Sequence, residues 1–244
     1  MYKLDQIIDK VIFLDIETVS GAHTLEELDE RMQKLWGKKS FKFRKDYAKK
    51  VSEAKIFEEK AAIQAEFGKI VCISTGYITR NSENDELEFK TKSFYGEDEK
   101  KLLEEFSDML NKFFESDQLG SIRKICTHNG KEFDIPYIAR RMLILGLPLS
   151  PILDIAGKKP WDIKFILDTQ EMWQFGDVKA FTSLDLLAAV FDIPTPKDDI
   201  NGAQVSKVFW EDRDLERIKV YCEKDIFTTT QVFLKLNQQA ILKV

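Results

Sequence analysis

An α/β fold, a mixed five-stranded sheet with helices on both faces, is predicted by three features of the sequence. Runs of β-branched and aromatic residues of strand length recur five times along the 244 residues. They come first as an antiparallel-capable group and then alternate with amphipathic helical stretches. Gly and Pro are sparse, at 11 and 6 residues, so no linker marks off a second domain, and residues 1–244 are expected to form one. A hydrophobic content of 43% is enough to fill its core.

The elements follow in order. Val11, Ile12, Phe13 and Leu14 open a buried strand expected at about 11–15. A long polar helical stretch over 24–66, "HTLEELDERMQKLW" through "AAIQAEF", is an insertion after that first strand. "KIVCISTGYI" and "LEFKTKSF" are the next two strands, and "RNSEND" between them suits a hairpin. "EDEKKLLEEFSDMLNKFF" is an amphipathic helix and "RKICTHN" a fourth strand. Pro136 stands where the first turn of a helix accepts it, opening "IPYIARRMLILG". "IKFILDTQ" is the fifth strand, and "SLDLLAAVFDI" and "DLERIKVYCEKDIFTTTQVFLKLN" are helices. This order suits a ribonuclease-H-like sheet.

Charge is unevenly spread. The net charge is −5, yet residues 31–60 hold eleven Lys and Arg against four acids, a local +7 that leaves −12 elsewhere. Such a block is most often a solvated helical face; it also suits a surface that tracks a phosphate backbone or meets a protein partner. Cys72, Cys126 and Cys222 are far apart and form no CxxC pair, which points to reduced structural thiols rather than disulfides or a thiolate zinc site. No apolar run is long enough to span a membrane, and "MYKLDQIIDK" carries charges where a signal peptide would be apolar, so a cytoplasmic location is expected.

Three stretches carry the chemistry. In "FLDIETVS" the carboxylates of Asp15 and Glu17 share one face of a strand, with Cα atoms roughly 7 Å apart. In "HNGKEFDIPY" Asp134 precedes a helix start, where an Asp is as often a simple cap. In "YCEKD" Tyr221 and Asp225 lie four apart and project from one side of a helix. Convergence of Asp15, Glu17, Asp134 and Asp225 at one sheet edge would raise their pKa values and destabilise the fold unless something positive joined them. Two hard divalent cations, Mg²⁺ or Mn²⁺, meet that need and can clamp a phosphodiester.

Together and in this order, "FLDIET", "HNGKEFDIPY" and "YCEKD" resemble the three motifs of the DEDD superfamily of 3′–5′ exonucleases. The likeness is to the proofreading domain of family-B DNA polymerases and to stand-alone bacterial relatives of it. It spans Asp15 to Asp225, with "FILDTQEMW" and "TSLDLLAAVFDIPTP" in the expected order. The histidines, His23 and His128, are both far from Asp225, so the tyrosine branch, DEDDy, is the one resembled. The resemblance implies that Asp15, Glu17 and Asp225 hold one cation, Asp15 bridges to a second, and Asp134 acts mainly through coordinated water. It implies that the Tyr221 hydroxyl orients the attacking water. The implied reaction releases nucleoside 5′-monophosphates from single-stranded or frayed 3′ ends, with DNA preferred. Thr18, Asn129 and Phe133 would contact the last nucleotides.

Other residues have simpler expected roles. Asp168 is expected to be a hydrogen-bonding strut, Trp161 and Trp173 packing residues, Lys197, Asp198 and Asp199 turn polarity, and His128 a structural or site-edge residue. Two alternatives stand beside the DNA reading: the same chemistry on RNA, and a non-catalytic nucleic-acid-binding module of the same fold. No polymerase palm or thumb fits in the remaining length.

Overall fold

The computed structural model describes residues 8–47, 50–84, 86–115, 117, 122–194 and 200–242. The turn residues Lys197, Asp198 and Asp199 lie outside them, as does Asp85 of the hairpin turn. β1 (Val11–Ser20) pairs antiparallel with β2 (Gly68–Arg80), and β2 with β3 (Leu87–Tyr95). On its other edge β1 runs parallel to β4 (Lys124–Thr127), and β4 to β5 (Ile166–Asp168). The strand order is β3-β2-β1-β4-β5, the mixed five-stranded sheet expected from the sequence.

β1 is twice its expected length. It continues past Leu14 because β2 goes on pairing with it as far as Ser20, opposite Gly68. Asp15 and Glu17 therefore stand inside a strand, not at its end. β4 pairs only with Val11, Ile12 and Phe13, so beyond Phe13 the second edge of β1 has no strand beside it. That vacated edge positions the site described below.

Alternation along β1 assigns the faces. Ile12, Leu14 and Ile16 pack with residues of α3 (Glu99–Phe114) and α4 (Asp134–Ile144) in the larger core, which also holds Leu102, Phe106 and Ile138. Val11 and Phe13 face α8 (Leu215–Leu236), where Phe13 meets the Phe233 ring edge-on at 5.5 Å. Val19 meets the same helix through Ile218 and Cys222. Asp15 and Glu17 belong to this second face.

The inserted segment is not one helical stretch. Asp29 caps α1 (Glu30–Ser40) and Ser52 caps α2 (Glu53–Lys60), each accepting from backbone N–H groups of the first turn. Trp36, Ile56, Phe57 and Phe67 form a small core of their own, and the Trp36 indole N–H donates to the Glu53 carbonyl at 3.0 Å. Much of the basic charge here is answered internally: Lys34 pairs with Glu30, Lys39 with Glu66, Arg44 with Glu53, and Lys55 with Glu58 and Glu59.

Three further helical segments complete the chain before α8: α5 (Thr169–Gln174), α6 (Leu184–Val190) and α7 (Val205–Lys207), the last continuing into a π-helical turn at Val208–Asp212. Trp173 packs edge-on against Phe191 and donates to the Thr182 hydroxyl, as expected of a packing residue. Trp161 departs from that expectation: it sits on a short 3₁₀ turn and is 64% exposed. No helix among the described residues is long and apolar enough to cross a membrane.

Candidate active site

The acidic cluster is built where β1 outruns β4. Asp15 and Glu17 lie on the face covered by α8, and β1 shifts register against β2 between Glu17 and Thr18. α8 approaches through Cys222, whose thiol donates to the Asp15 carboxylate at 3.4 Å. Atoms of Asp15, Glu17 and Cys222 capable of ligating a metal all lie within 4.8 Å of one another. Cys72, opposite Glu17 in the β ladder, packs in the same apolar cluster as Cys222 and meets the Ser74 hydroxyl at 3.6 Å.

Asp134 joins from the other edge. As the first residue of α4 it is 4% exposed, and its carboxylate accepts the Ile16 backbone N–H at 3.1 Å. That N–H belongs to the stretch of β1 that no neighbouring strand flanks on this edge, so Asp134 fills a hydrogen-bonding vacancy left by the short β4. The "HNGKEF" loop delivers it through tight geometry. Asn129 adopts φ 60°, and a Cβ on Gly130 would come within 2.5 Å of the Thr127 side chain. Asp225 and Tyr221 lie one turn apart on α8, close enough for the carboxylate to act on the tyrosine hydroxyl.

The electrostatics follow from this crowding. Burial, then the charges of Asp134 and Asp225, holds the Asp15 carboxyl well above the usual carboxylate range. Glu17 is raised well by burial, then by Asp15 and Asp225. Asp134 is pushed up to about 7, chiefly by burial, while its hydrogen bonds oppose the rise. Burial and the neighbouring Asp225 and Glu17 raise the Tyr221 hydroxyl far above its ordinary value, so it remains a proton donor. The charged groups acting most strongly on Asp15 and Glu17 are other carboxyls and the Cys72 thiol. The four acids and Tyr221 thus lie within electrostatic reach of one another around Asp15, and the donor set fits a hard divalent cation.

The three substrate-contact candidates are placed differently. Thr18 follows the register shift and is buried close to Tyr137, whose hydroxyl donates to the Ala62 carbonyl at 2.7 Å. Phe133 is half-buried against Tyr137, with ring centroids 5.3 Å apart. Asn129 lies outside the acidic cluster, lining a separate cavity of about 500 Å³ with Lys131, Gln170 and Val178. Asp168 is the strut expected: its carboxylate accepts the backbone N–H groups of Asn129, Lys131 and Gln170 at 2.9–3.1 Å. His128 accepts or donates at Thr169 Oγ1, 2.9 Å away, and burial lowers its pKa. Cys222, expected from the sequence to be a structural thiol, stands at the acidic cluster. Its one signal was its place inside "YCEKD", on the helix face between Ile218 and Ile226 that packs on the sheet.

A family model described as "Predicted 3'-5' exonuclease related to the exonuclease domain of PolB" matches residues 61–241. No curated protein matches the sequence. Among solved structures, the family B DNA polymerase from the hyperthermophilic archaeon Pyrobaculum calidifontis shares the fold at a TM-score of 0.56 and 15% identity. The likeness covers 92% of this chain and 24% of the polymerase, so the chain spans about a quarter of that protein's length. The fold is ribonuclease-H-like, and the chain belongs to the family of predicted 3′–5′ exonucleases related to the exonuclease domain of PolB.

Proposed function

We propose that this chain, acting as one domain over residues 1–244, is a cytoplasmic metal-dependent exonuclease that removes nucleotides from the 3′ ends of single-stranded or frayed DNA. The observation that carries the reading is a cluster of buried and half-buried carboxylates in which the charges acting most strongly on the central pair, Asp15 and Glu17, are other acids. Exonuclease domains of this kind use divalent metals, and Asp15, Glu17, Asp134 and Asp225 are the residues that would hold Mg²⁺ or Mn²⁺ here. When bound, two such cations supply charge neutralisation at the phosphate and activation of water at neutral pH.

The chain's own groups do the rest. Asp15, central to the cluster, neighbours both Asp134 and Asp225 and is the natural bridging carboxylate. Tyr221 cannot act as a base with its hydroxyl pKa raised; it donates a hydrogen bond and orients the attacking water. Asp134, tied to the Ile16 N–H, fixes the α4 start against β1 and contributes its charge through solvent. Thr18 and Phe133 border the position of the terminal nucleotide, and Asn129 lies on the path of the strand behind it.

Digestion of 5′-labelled DNA and RNA oligonucleotides with Mg²⁺, Mn²⁺ or EDTA tests the reading. The expected result is a descending ladder on DNA that requires metal and yields 5′-monophosphates. A ladder on RNA alone would move the substrate to RNA, and binding without cleavage would leave a non-catalytic module. A single internal cut would overturn exonuclease action.

A further inference from the structure

A cavity of about 920 Å³ opens between α2 of the insertion and the α7/π-turn segment, with Ser20, His23, Lys207 and Trp210 on its walls. Its lining is mixed in charge: Glu26 and Glu211 face Lys60 and Lys207, while Lys55 answers Glu58 and Glu59. One place in it differs. Trp210, anchored by an indole N–H bond to the Ser20 hydroxyl at 3.0 Å, carries the exposed His23 ring stacked on it at 5.6 Å and 17°. Lys69 Nζ lies 5.0 Å and Arg213 Cζ 5.6 Å from the centre of the same indole. Neither cation makes an ion pair within 4 Å among the described residues; burial pushes the Lys69 ammonium down, the charges of Glu97 and Glu99 oppose that shift, and Arg213 adds a smaller push downward.

This constellation adjoins the acidic cluster. Lys69 pairs with Val19 in the ladder, two residues beyond Glu17 along β1, and Trp210 and Tyr221 pack on one apolar cluster formed around Val19, Phe209 and Cys222. Two cations with no carboxylate in ion-pair contact, beside a ready-made aromatic stack, match the repeating unit of a single strand, a phosphate and a base. We propose that Lys69, Arg213, Trp210 and His23 form a subsite for single-stranded nucleic acid, in which a base extends the His23/Trp210 stack and a phosphate lies between the two cations. The inference rests on the exonuclease reading and names the part of the surface that holds the strand. It also moves the anion-binding role away from the outer face of the insertion, where Lys34, Lys39 and Arg44 already have carboxylate partners.

The test is binding, measured without cleavage. Fluorescence anisotropy of labelled dT15 in EDTA, across a salt series, compares the full chain with a Lys69→Met/Arg213→Ala variant and a Lys38→Ala/Lys45→Ala variant of the insertion. The first variant is expected to bind about tenfold more weakly, with the slope of log affinity against log salt shallower by roughly one to one and a half, as loss of two phosphate contacts to a single strand requires. The insertion variant is expected to bind as the unaltered chain does. Saturating dT15 should quench tryptophan emission, and Trp210→Phe should remove most of the quench. Equal affinity and slope for Lys69→Met/Arg213→Ala, or a larger loss from the insertion variant, overturns the subsite. Should the first variant fail to fold, the Trp210→Phe quench decides alone, an undiminished quench overturning the proposal. If the unaltered chain binds dT15 through this subsite but degrades no oligonucleotide with Mg²⁺ or Mn²⁺, the exonuclease reading fails and the subsite stands.

Discussion

Two buried acidic places lie on opposite faces of the sheet, and they are handled in opposite ways. On the α3/α4 face, Glu99 accepts two hydrogen bonds from the Arg141 guanidinium at 2.9 and 2.6 Å, and a third from the Ile70 N–H at 2.7 Å. Arg141 spends a further N–H on the Ala65 carbonyl. On the α8 face, Asp15 and Glu17 have each other, a thiol, and more carboxylates nearby. A buried charge is tolerable when paired and fully hydrogen-bonded, and otherwise demands a counter-charge from outside. The first arrangement is closed and structural; the second is incomplete without a cation.

The largest expected effect breaks the second arrangement. Asp15→Asn should lower nuclease activity by more than about 100-fold, beyond what removing a supporting partner of a metal ligand costs, while leaving the metal-free protein as stable or more so. Activity on labelled DNA and a thermal melt in EDTA check both halves. Breaking the first arrangement should do the reverse. Arg141→Met strands Glu99 without its partner and should cost about 3–5 kcal/mol, whereas Glu99→Gln/Arg141→Met should recover much of it, with activity per folded molecule kept. Urea unfolding of the three proteins gives the comparison; equal losses in the single and double variants would mean that the ion pair is not what matters there.

The same contrast has a pH signature of the next size. Asp15, Glu17 and Asp134 all have folded pKa values raised above the unfolded range, Asp134 to about 7. A raised carboxyl binds its proton more tightly in the folded state, so its contribution is full below about pH 4, the unfolded value, and is lost as pH rises through the folded value. Metal-free protein should therefore lose stability between about pH 4 and 7, on the order of a few kcal/mol. Mg²⁺ or Mn²⁺ should restore it, the metal-induced rise in melting temperature growing across that window. Asp134→Asn should flatten part of the slope; an identical slope would remove Asp134 from the account.

The sheet was legible in the sequence because its strands carry β-branched and aromatic residues at strand length, as in Ile70–Ile73 and Ile12–Leu14. The end of β1 was not, because the two acids at 15 and 17 break the apolar run that marks the strand, and only the continued partner β2 carries the pairing on to Ser20. The insertion read as one helix since its polarity hides two separate breaks, while the buried Trp36, Ile56 and Phe57 show that it folds on a core of its own. The acids were legible individually and by order. The reach of Asp134 to Ile16 was not, because it depends on β4 stopping at Thr127, a length that no local pattern encodes. Trp161 was misassigned because an indole is ordinarily core, and nothing in "KKPWD" signals an exposed 3₁₀ turn.

The smallest effect concerns Tyr221 and separates positioning from proton transfer. Burial, then the charges of Asp225 and Glu17, keep its hydroxyl protonated throughout the working pH range. A group that never ionises contributes no limb to a pH–rate profile. Tyr221→Phe keeps the ring against the cluster of Val19, Phe209 and Cys222 and deletes the hydroxyl. The expected loss is about tenfold in kcat, worth about 1.4 kcal/mol, with the acid limb of the profile unmoved because the carboxylates set it. Glu17→Gln should instead shift that limb as well as abolish most activity. If Tyr221→Phe displaced the limb, or cost as much as Asp15→Asn, the tyrosine would have to exchange a proton during the reaction, and the division between carboxylates that gather charge and a hydroxyl that only aims water would fail.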